Sequence, residues 1–83
     1  MYKRRVEVGK MNLIGVRVTT IRKSLGMSQK ELLMKLHQYG LSMGATGLSR
    51  IENQHRKVRD YELVAFSEVL NVGIHTLYGL QDL

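Results

Sequence analysis

The stretch "SQKELLMKLHQYGLSMGATGLSRIEN", residues 28–53, contains the signals of two helices joined by a glycine-rich connection. Ser28 and Glu31 have the spacing of a capping box, in which each side chain hydrogen-bonds the backbone amide of the other residue. Gly40 is the residue type that most often follows the last turn of a helix in a left-handed conformation. The first half of the stretch therefore predicts a helix from Ser28 to Gly40. Its buried face is expected to consist of three leucines, Leu32, Leu33 and Leu36.

The second half of the stretch opens with glycines and still predicts a helix. Leu48 and Ile51 are three residues apart, which places both on one face of a helix that runs to about Asn53. We expect Ser42 or Gly44 to cap its first turn.

The chain before this stretch predicts one further helix, over about residues 13–24. Asn12 is a suitable N-cap, and Gly26 is the expected stop. Four apolar residues fall at spacings of four, three and four, as one buried stripe requires, namely Ile14, Val18, Ile21 and Leu25.

The chain after the stretch predicts two more helices. Asp60 is expected to cap the fourth helix, and Asn71 and Gly73 interrupt the chain before a short fifth helix in "IHTLYGL", residues 74–80. Five short helices with short connections predict an all-α domain without a sheet. The apolar positions of the fourth helix are Leu63, Val64, Phe66, Val69 and Leu70.

Charge is distributed unevenly along the chain. The net charge is +6, and all 13 lysines and arginines lie in residues 1–59, whereas residues 60–83 contain only acidic charges. Such an arrangement indicates a polyanion-binding face, and it equally fits a soluble surface without a specific partner. Residues 1–11 form a basic arm that we expect to be disordered or loosely attached, so that residues 12–83 form the single domain.

Several classes of function find no support in the sequence. The chain has no cysteine for disulfides or thiolate metal sites, and its three histidines are far apart with no carboxylate at metal-ligand spacing. It contains no nucleophile motif and no Walker pattern, so we predict no catalytic residue, no metal and no cofactor. No apolar run approaches the ~20 residues that span a bilayer, which argues against a membrane protein. A reducing cytoplasm is the expected location.

Three segments of the chain together resemble the Cro/C1-type, or XRE-like, helix-turn-helix family. They are "IRKSLGMSQKELLMKL" at residues 21–36, "LSRIEN" at 48–53 and "DYELVAFSEVLNVGIHTLYG" at 60–79. The resemblance implies a compact five-helix bundle of the lambda-repressor-like type, with helices two and three as a central helix-turn-helix. Family members are mostly bacterial and phage transcription regulators, often dimeric. The implied function is sequence-specific binding of double-stranded DNA, with repression as the default because steric occlusion needs no further contacts.

The resemblance also implies which residues meet DNA. Helix three is the recognition helix, and Arg50 can make paired hydrogen bonds to guanine, worth roughly 1–3 kcal/mol of discrimination. A largely buried ion pair between Arg22 and Glu52 is implied as a structural element. The base-facing positions are Ala45, Thr46, Ser49 and Arg50. The implied phosphate contacts are Ser28, Gln29, Asn53, His55, Arg56 and Lys57.

The chain departs from the family pattern in three places. The turn between helices two and three is long. Leu33 stands where the family usually has alanine and needs more room, which Gly44 or Gly47 can provide. A glycine inside a helix costs about 1 kcal/mol relative to alanine, so we expect a close backbone approach at these glycines, to DNA or to Leu33. Gln54 replaces the glycine that usually follows "EN", so the left-handed position falls on Gln54 or Asn53.

The sequence leaves three other kinds of contact undecided, with RNA, with a protein chain and with an adjacent DNA groove. The segment "GATG", residues 44–47, matches the G-x-x-G loop with which KH domains hold RNA, although no three-stranded sheet is predicted to accompany it. The acidic C-terminal region can form a surface for a protein partner, as in an antitoxin-like regulator, or for a homodimer. The basic arm can also reach an adjacent DNA groove through Lys3, Arg4 and Arg5.

Overall fold

The computed structural model describes residues 10–80 and contains five α-helices, with no strand among these residues. The predicted all-α architecture is therefore confirmed. The predicted arm lies outside the described residues except for Lys10 and Met11. In chain order, α1 spans Gly15–Ser24, α2 Gln29–Tyr39, α3 Ala45–Glu52, α4 Asp60–Leu70 and α5 Ile74–Leu77.

All five helices end in the same backbone arrangement. A residue just past the last turn takes a positive φ, and its N–H donates to the carbonyl oxygen three residues earlier. The next N–H donates to the carbonyl oxygen five residues before it, which completes a Schellman motif. Two of these stops, after α1 and α2, are the glycines that the sequence predicted. The five positive-φ residues are Gly26, Gly40, Gln54, Asn71 and Gly79.

The helix α1 begins two residues later than predicted. Asn12 Oδ1 accepts the backbone N–H of Gly15 at 2.8 Å and that of the preceding residue at 3.1 Å, so the expected capping side chain does bind the first amides. The Asn12 side-chain amide also donates to the carbonyl oxygens of Ile51, at 3.0 Å, and Arg56, at 2.9 Å. One buried side chain therefore joins the start of α1 to the end of α3 and to the loop that follows α3.

The prediction that Asp60 caps α4 is wrong by one residue. Asp60 is the first helical residue, and Arg59 takes the extended conformation of an N-cap. Glu62 explains the shift, because its carboxylate accepts the backbone N–H of Arg59 at 2.9 Å. A glutamate at the third helical position supplies this bond in a capping box.

The core takes side chains from all five helices, but two predicted core positions are exposed. Leu25 is 55% exposed because it lies past the last turn of α1, and Val64 is 44% exposed. On α4 the inward face instead follows Glu62, Phe66 and Leu70 at a spacing of four, which turns Val64 outward. The buried apolar residues are Ile14, Val18, Leu32, Leu36, Leu48, Ile51, Ala65, Phe66, Leu70 and Leu77.

The helices α1 and α3 meet backbone to backbone at Gly15. A Cβ atom at this position would collide with the carbonyl oxygen of Ile51 and would lie 3.1 Å from that of Glu52. Only glycine allows such a close approach of two chains. The contact fixes α3 against α1, and so fixes the direction in which α3 turns its outward face.

Candidate nucleic-acid interface

A buried ion pair joins α1 to α3. Arg22 Nε lies 2.8 Å from Glu52 Oε2, and Arg22 Nη2 lies 3.0 Å from Oε1, so the contact is bidentate. Both side chains are at least nine-tenths buried. Arg22 Nη1 also donates to the carbonyl oxygen of Met27 at 2.8 Å, just before α2. Charge-assisted, bidentate bonds of this kind are strong and directional, so the pair holds α3 against α1 and against the entry to α2.

Gln29 extends this network to the first turn of α2. Its Nε2 donates to Glu52 Oε1 at 3.0 Å and lies 3.5 Å from Ser49 Oγ. The side-chain amide of Gln29 thus donates within the protein, and a phosphate contact at this position stays a prediction. In this position Gln29 couples the N-terminus of α2 to α3.

The N-terminus of α2 keeps backbone donors for an outside ligand. Ser28 Oγ accepts the Glu31 N–H at 3.0 Å, and the Glu31 carboxylate accepts the Ser28 N–H at 2.9 Å, which confirms the capping box. The backbone bond, followed by the side-chain bond, holds the pKa of Glu31 below its ordinary value. No described residue accepts the backbone N–H of Gln29 or Lys30. Free amides at a helix N-terminus favour the binding of an anion.

The outward face of α3 contains the four residues that were predicted to face bases. Ala45, Thr46 and Arg50 are exposed, and Ser49 is half-buried. Helical periodicity places the four within one side of the helix, opposite the buried Leu48 and Ile51. Arg50 is the only long hydrogen-bond donor among them, so it has the greatest reach beyond the protein surface.

Five residues connect α2 and α3, so the predicted long turn is confirmed. Gly40 takes the left-handed conformation at the end of α2, and Gly44 is the extended N-cap of α3. Between them, Leu41 and Met43 are half-buried and pack against the core. Two apolar side chains therefore anchor the turn to the rest of the domain.

The glycines at the start of α3 do not make room for Leu33, so that prediction is wrong. A Cβ atom at Gly44 would have no neighbour within 4 Å, and one at Gly47 would meet only Met43 Cγ, at 3.4 Å. Leu33 is half-buried and packs against the core. Since packing requires neither glycine, a close approach of DNA at these positions stays a prediction.

Gln54 takes the left-handed conformation after α3, with φ 63°, whereas Asn53 does not. This conformation costs a non-glycine residue roughly 1–2 kcal/mol. The Gln54 side chain compensates, because its Nε2 donates to the carbonyl oxygen of Asn12 at 2.9 Å. The Gln54 carbonyl oxygen in turn accepts the N–H of Met11 at 3.1 Å. Gln54 therefore joins the chain entering α1 to the chain leaving α3.

Arg56 has a structural partner that the sequence did not indicate. Its Nη1 and Nη2 lie 2.9 and 2.8 Å from the two carboxylate oxygens of Glu62, which is only 2% exposed. Burial raises the pKa of Glu62, but the hydrogen bonds from Arg56 and from the Arg59 amide outweigh it, so the net shift is downward. The same contact raises the pKa of Arg56. Arg56 thus stabilises the loop between α3 and α4 through a contact within the protein. The predicted phosphate contact of Arg56 is a separate question.

A basic cavity of about 420 Å³ lies beside the C-terminal end of α3. One of its cations, Arg50, comes from α3 itself, and the others come from the following loop. No carboxylate forms part of its wall. Arg59, which the sequence did not single out, joins the predicted phosphate-contact residues here. The wall is formed by Met11, Arg50, His55, Arg56, Lys57 and Arg59.

A family model described as helix-turn-helix matches residues 18–77 of the chain. The chain belongs to the Cro/C1-type helix-turn-helix family. In this helix-turn-helix protein, α2 and α3 are the two helices of the motif, and the family assignment makes it a DNA-binding regulator. Among curated proteins and among solved structures, none matches the chain. Within residues 10–80, no helix is long and apolar enough to cross a membrane.

Several contacts that position the motif were not predicted from the sequence. Asn12 and Gly15 lie outside the family match, yet both hold the C-terminal half of α3 in place. A glycine at the start of the apolar stripe of α1 was the available signal for the close contact. The ion pair between Glu62 and Arg56 was harder to predict. An acidic residue in the first turn of a helix is usually explained by the helix dipole alone, without a buried partner.

Proposed function

We propose that this helix-turn-helix protein binds double-stranded DNA at a specific sequence and represses transcription by occupying that site. The helix α3 lies in the major groove, where Arg50 makes a paired hydrogen bond to guanine and the smaller side chains touch neighbouring bases. The observation that carries the proposal is the continuity of the basic cavity with the outward face of α3, because Arg50 belongs to both. Groups able to bind bases and groups able to bind phosphate are therefore adjacent.

Phosphate binding is divided between the two ends of the motif. At the N-terminus of α2, the free amides of Gln29 and Lys30 and the helix dipole attract one phosphate. After α3, the exposed His55, Lys57 and Arg59 surround the basic cavity. Each neutralised phosphate releases counterions, so log K falls with log salt by about 0.9 per contact. A steep dependence on salt is therefore expected.

Selection of bound duplexes from a random DNA pool tests this proposal. We expect one related set of sequences to be enriched, and a symmetric set would report two half-sites and their spacing. Each enriched duplex is then titrated at several salt concentrations. Enrichment of no sequence above the starting pool would contradict specific binding.

Two variants separate base contacts from phosphate contacts. Arg50→Ala is expected to relax the preference at one base pair by roughly 1–3 kcal/mol. Lys57→Ala is expected to lower the affinity for all duplexes alike and to reduce the slope of log K against log salt by about 0.9. Lys35→Ala is the matched control, because this exposed lysine lies on the side of α2 near α4 and is not part of the basic cavity. Equal losses for Lys35→Ala and Lys57→Ala would mean that net charge alone attracts the DNA.

A second candidate function is contact with another protein chain through α4 and α5. Large apolar side chains are exposed there in the part of the chain that has no lysine or arginine. A homodimer is the simplest partner, and an antitoxin-like complex with a different protein is the other. Sedimentation of the pure protein over a range of concentrations distinguishes a self-associating chain from a monomer. The exposed side chains are Tyr61, Val64, Ile74 and Leu80.

The RNA-binding hypothesis does not gain support. Most of the "GATG" segment belongs to the first turn of α3, with Gly44 as its N-cap. Residues 10–80 contain no strand that could form the sheet of a KH domain. The observation that would have favoured RNA, a substantial strand content, is therefore missing from the described part of the chain.

A further inference from the structure

A groove of about 440 Å³ borders the basic cavity and shares Met11 and Lys57 with it, but its wall is mostly apolar. The wall comes from the chain before α1, the loop before α4, α4 itself and the residue after α5. Met11 is 46% exposed and is the least covered of the apolar residues. One cation and one anion, Lys57 and Asp60, also lie at the wall. The apolar members are Met11, Leu13, Ile14, Val58, Leu63 and Tyr78.

The chain has a segment of matching chemistry next to this groove. Residues 1–9 lie outside the described residues and join the described chain at Lys10, one residue before the groove begins. They include "RRVEV", residues 4–8, in which Val6 and Val8 alternate with charged residues. In an extended segment, two residues at this spacing point to the same side.

We infer that the groove is the docking site of residues 5–8 of the same chain, with Val6 and Val8 entering its apolar part. The starting point of the segment is fixed, because the Met11 N–H donates to the carbonyl oxygen of Gln54 at 3.1 Å. From Met11, six residues of extended chain span at most about 20 Å, so the segment begins at the groove and has the length to follow it.

The charges of the segment complement those of the groove. The side chains of Arg5 and Glu7 point away from the valines in an extended segment and so lie at the rim. Arg5 has the charge opposite to Asp60, and Glu7 has the charge opposite to Lys57. The segment therefore matches both the apolar residues and the two charged residues of the wall. This inference does not depend on DNA binding.

A spin label on the segment tests the docking. The chain has no cysteine, so Lys3→Cys provides a single attachment site for a nitroxide. In the labelled full-length chain, the NMR signals of Leu63 and Tyr78 are expected to be lost or strongly broadened. The signals of Val16, which is exposed on α1 and is not part of the groove, are expected to stay sharp.

A second pair of variants tests the role of the valines. Adding Val6→Ser and Val8→Ser to the labelled chain is expected to restore the Leu63 signals. Val16→Ser is the matched control, because it removes an exposed valine elsewhere and is expected to leave the broadening unchanged. Sharp Leu63 signals in the first labelled chain would overturn the inference. Broadening that persists without Val6 and Val8 would overturn it as well.

A mixed sample identifies the source of the occupant. Labelled chain without isotope enrichment is mixed with enriched chain that has no label. Sharp Tyr78 signals in this mixture, together with broadening in the labelled enriched chain, support docking within one molecule. Equal broadening in the mixture would assign the groove to a second copy of the chain and would overturn docking of the chain's own residues.

Discussion

Replacing Gly15 with alanine is expected to destabilise the protein by about 1–3 kcal/mol, the usual cost of adding a methylene to a well-packed contact. The new methyl group collides with the carbonyl oxygen of Ile51 and lies 3.1 Å from both the Glu52 carbonyl oxygen and Asn12 Oδ1. Two of these atoms are backbone, and the third is held by two backbone amides. None of them can move freely, so α1 must separate from α3.

Gly47→Ala is the matched control for this substitution. It adds the same methyl group to α3, where only the flexible side chain of Met43 comes near, at 3.4 Å. Removing a glycine from a helix raises stability by up to about 1 kcal/mol. The two variants are therefore expected to change the free energy of unfolding in opposite directions. In a domain of this size, each 1 kcal/mol shifts the melting temperature by about 4–8 °C.

Urea and thermal denaturation, followed by far-ultraviolet circular dichroism, measure both differences. A Gly15→Ala chain that is as stable as the wild type would refute the close contact between α1 and α3. The Gly47→Ala chain also tests the proposed interface, since its affinity for the selected duplex falls only if the DNA backbone comes close to α3 at this residue.

Three further outcomes follow from contacts of single side chains, each measured by urea denaturation. Gln54→Ala is expected to cost about 0.5–1.5 kcal/mol through the lost hydrogen bond to Asn12, whereas Gln54→Gly is expected to stay near the wild type because relief of the left-handed strain offsets that loss. Glu52→Gln leaves the buried charge of Arg22 unpaired and is expected to cost roughly 3–5 kcal/mol, so an undiminished stability would contradict a structural role for the pair. The folded-state pKa of Glu62 lies below its ordinary value of 4.5, so its contribution to stability is complete above that pH and is lost as the pH falls through the folded-state pKa. The stability difference between the wild type and Glu62→Gln is therefore expected to shrink below pH 4.5, and a difference that does not change with pH would contradict this assignment.

The limits of α2 could be predicted almost to the residue, because they depend on neighbours within a few positions. Ser28 and Glu31 bind each other across one turn, and Gly40 needs only its own backbone freedom to end the helix. The inward face of α3, with Leu48 and Ile51, followed from periodicity in the same way. Local chemistry and helical geometry were sufficient for these features.

The features that could not be predicted depend on partners outside the residue's own helical turn. Asn12 has the pattern of a simple cap, yet it also binds carbonyl oxygens 39 and 44 residues away. The glycine at position 15 indicates that a side chain would not fit there, but the sequence does not show that the carbonyl oxygen of Ile51 occupies the space. Arg56 has the pattern of a solvated cation until folding brings Glu62 beside it. Only the packing of the helices determines these contacts.

Binding of DNA by the outward face of α3 and the basic cavity is tested most directly by NMR. Backbone amide signals of the isotope-enriched protein are followed while the selected duplex is added. The largest shift changes are expected at Gln29 and Lys30 and along residues 45–50 and 53–57, whereas Tyr61 on the outer side of α4 is expected to stay unchanged. Changes centred on α4, with α3 unperturbed, would contradict the proposal that α3 enters the DNA groove.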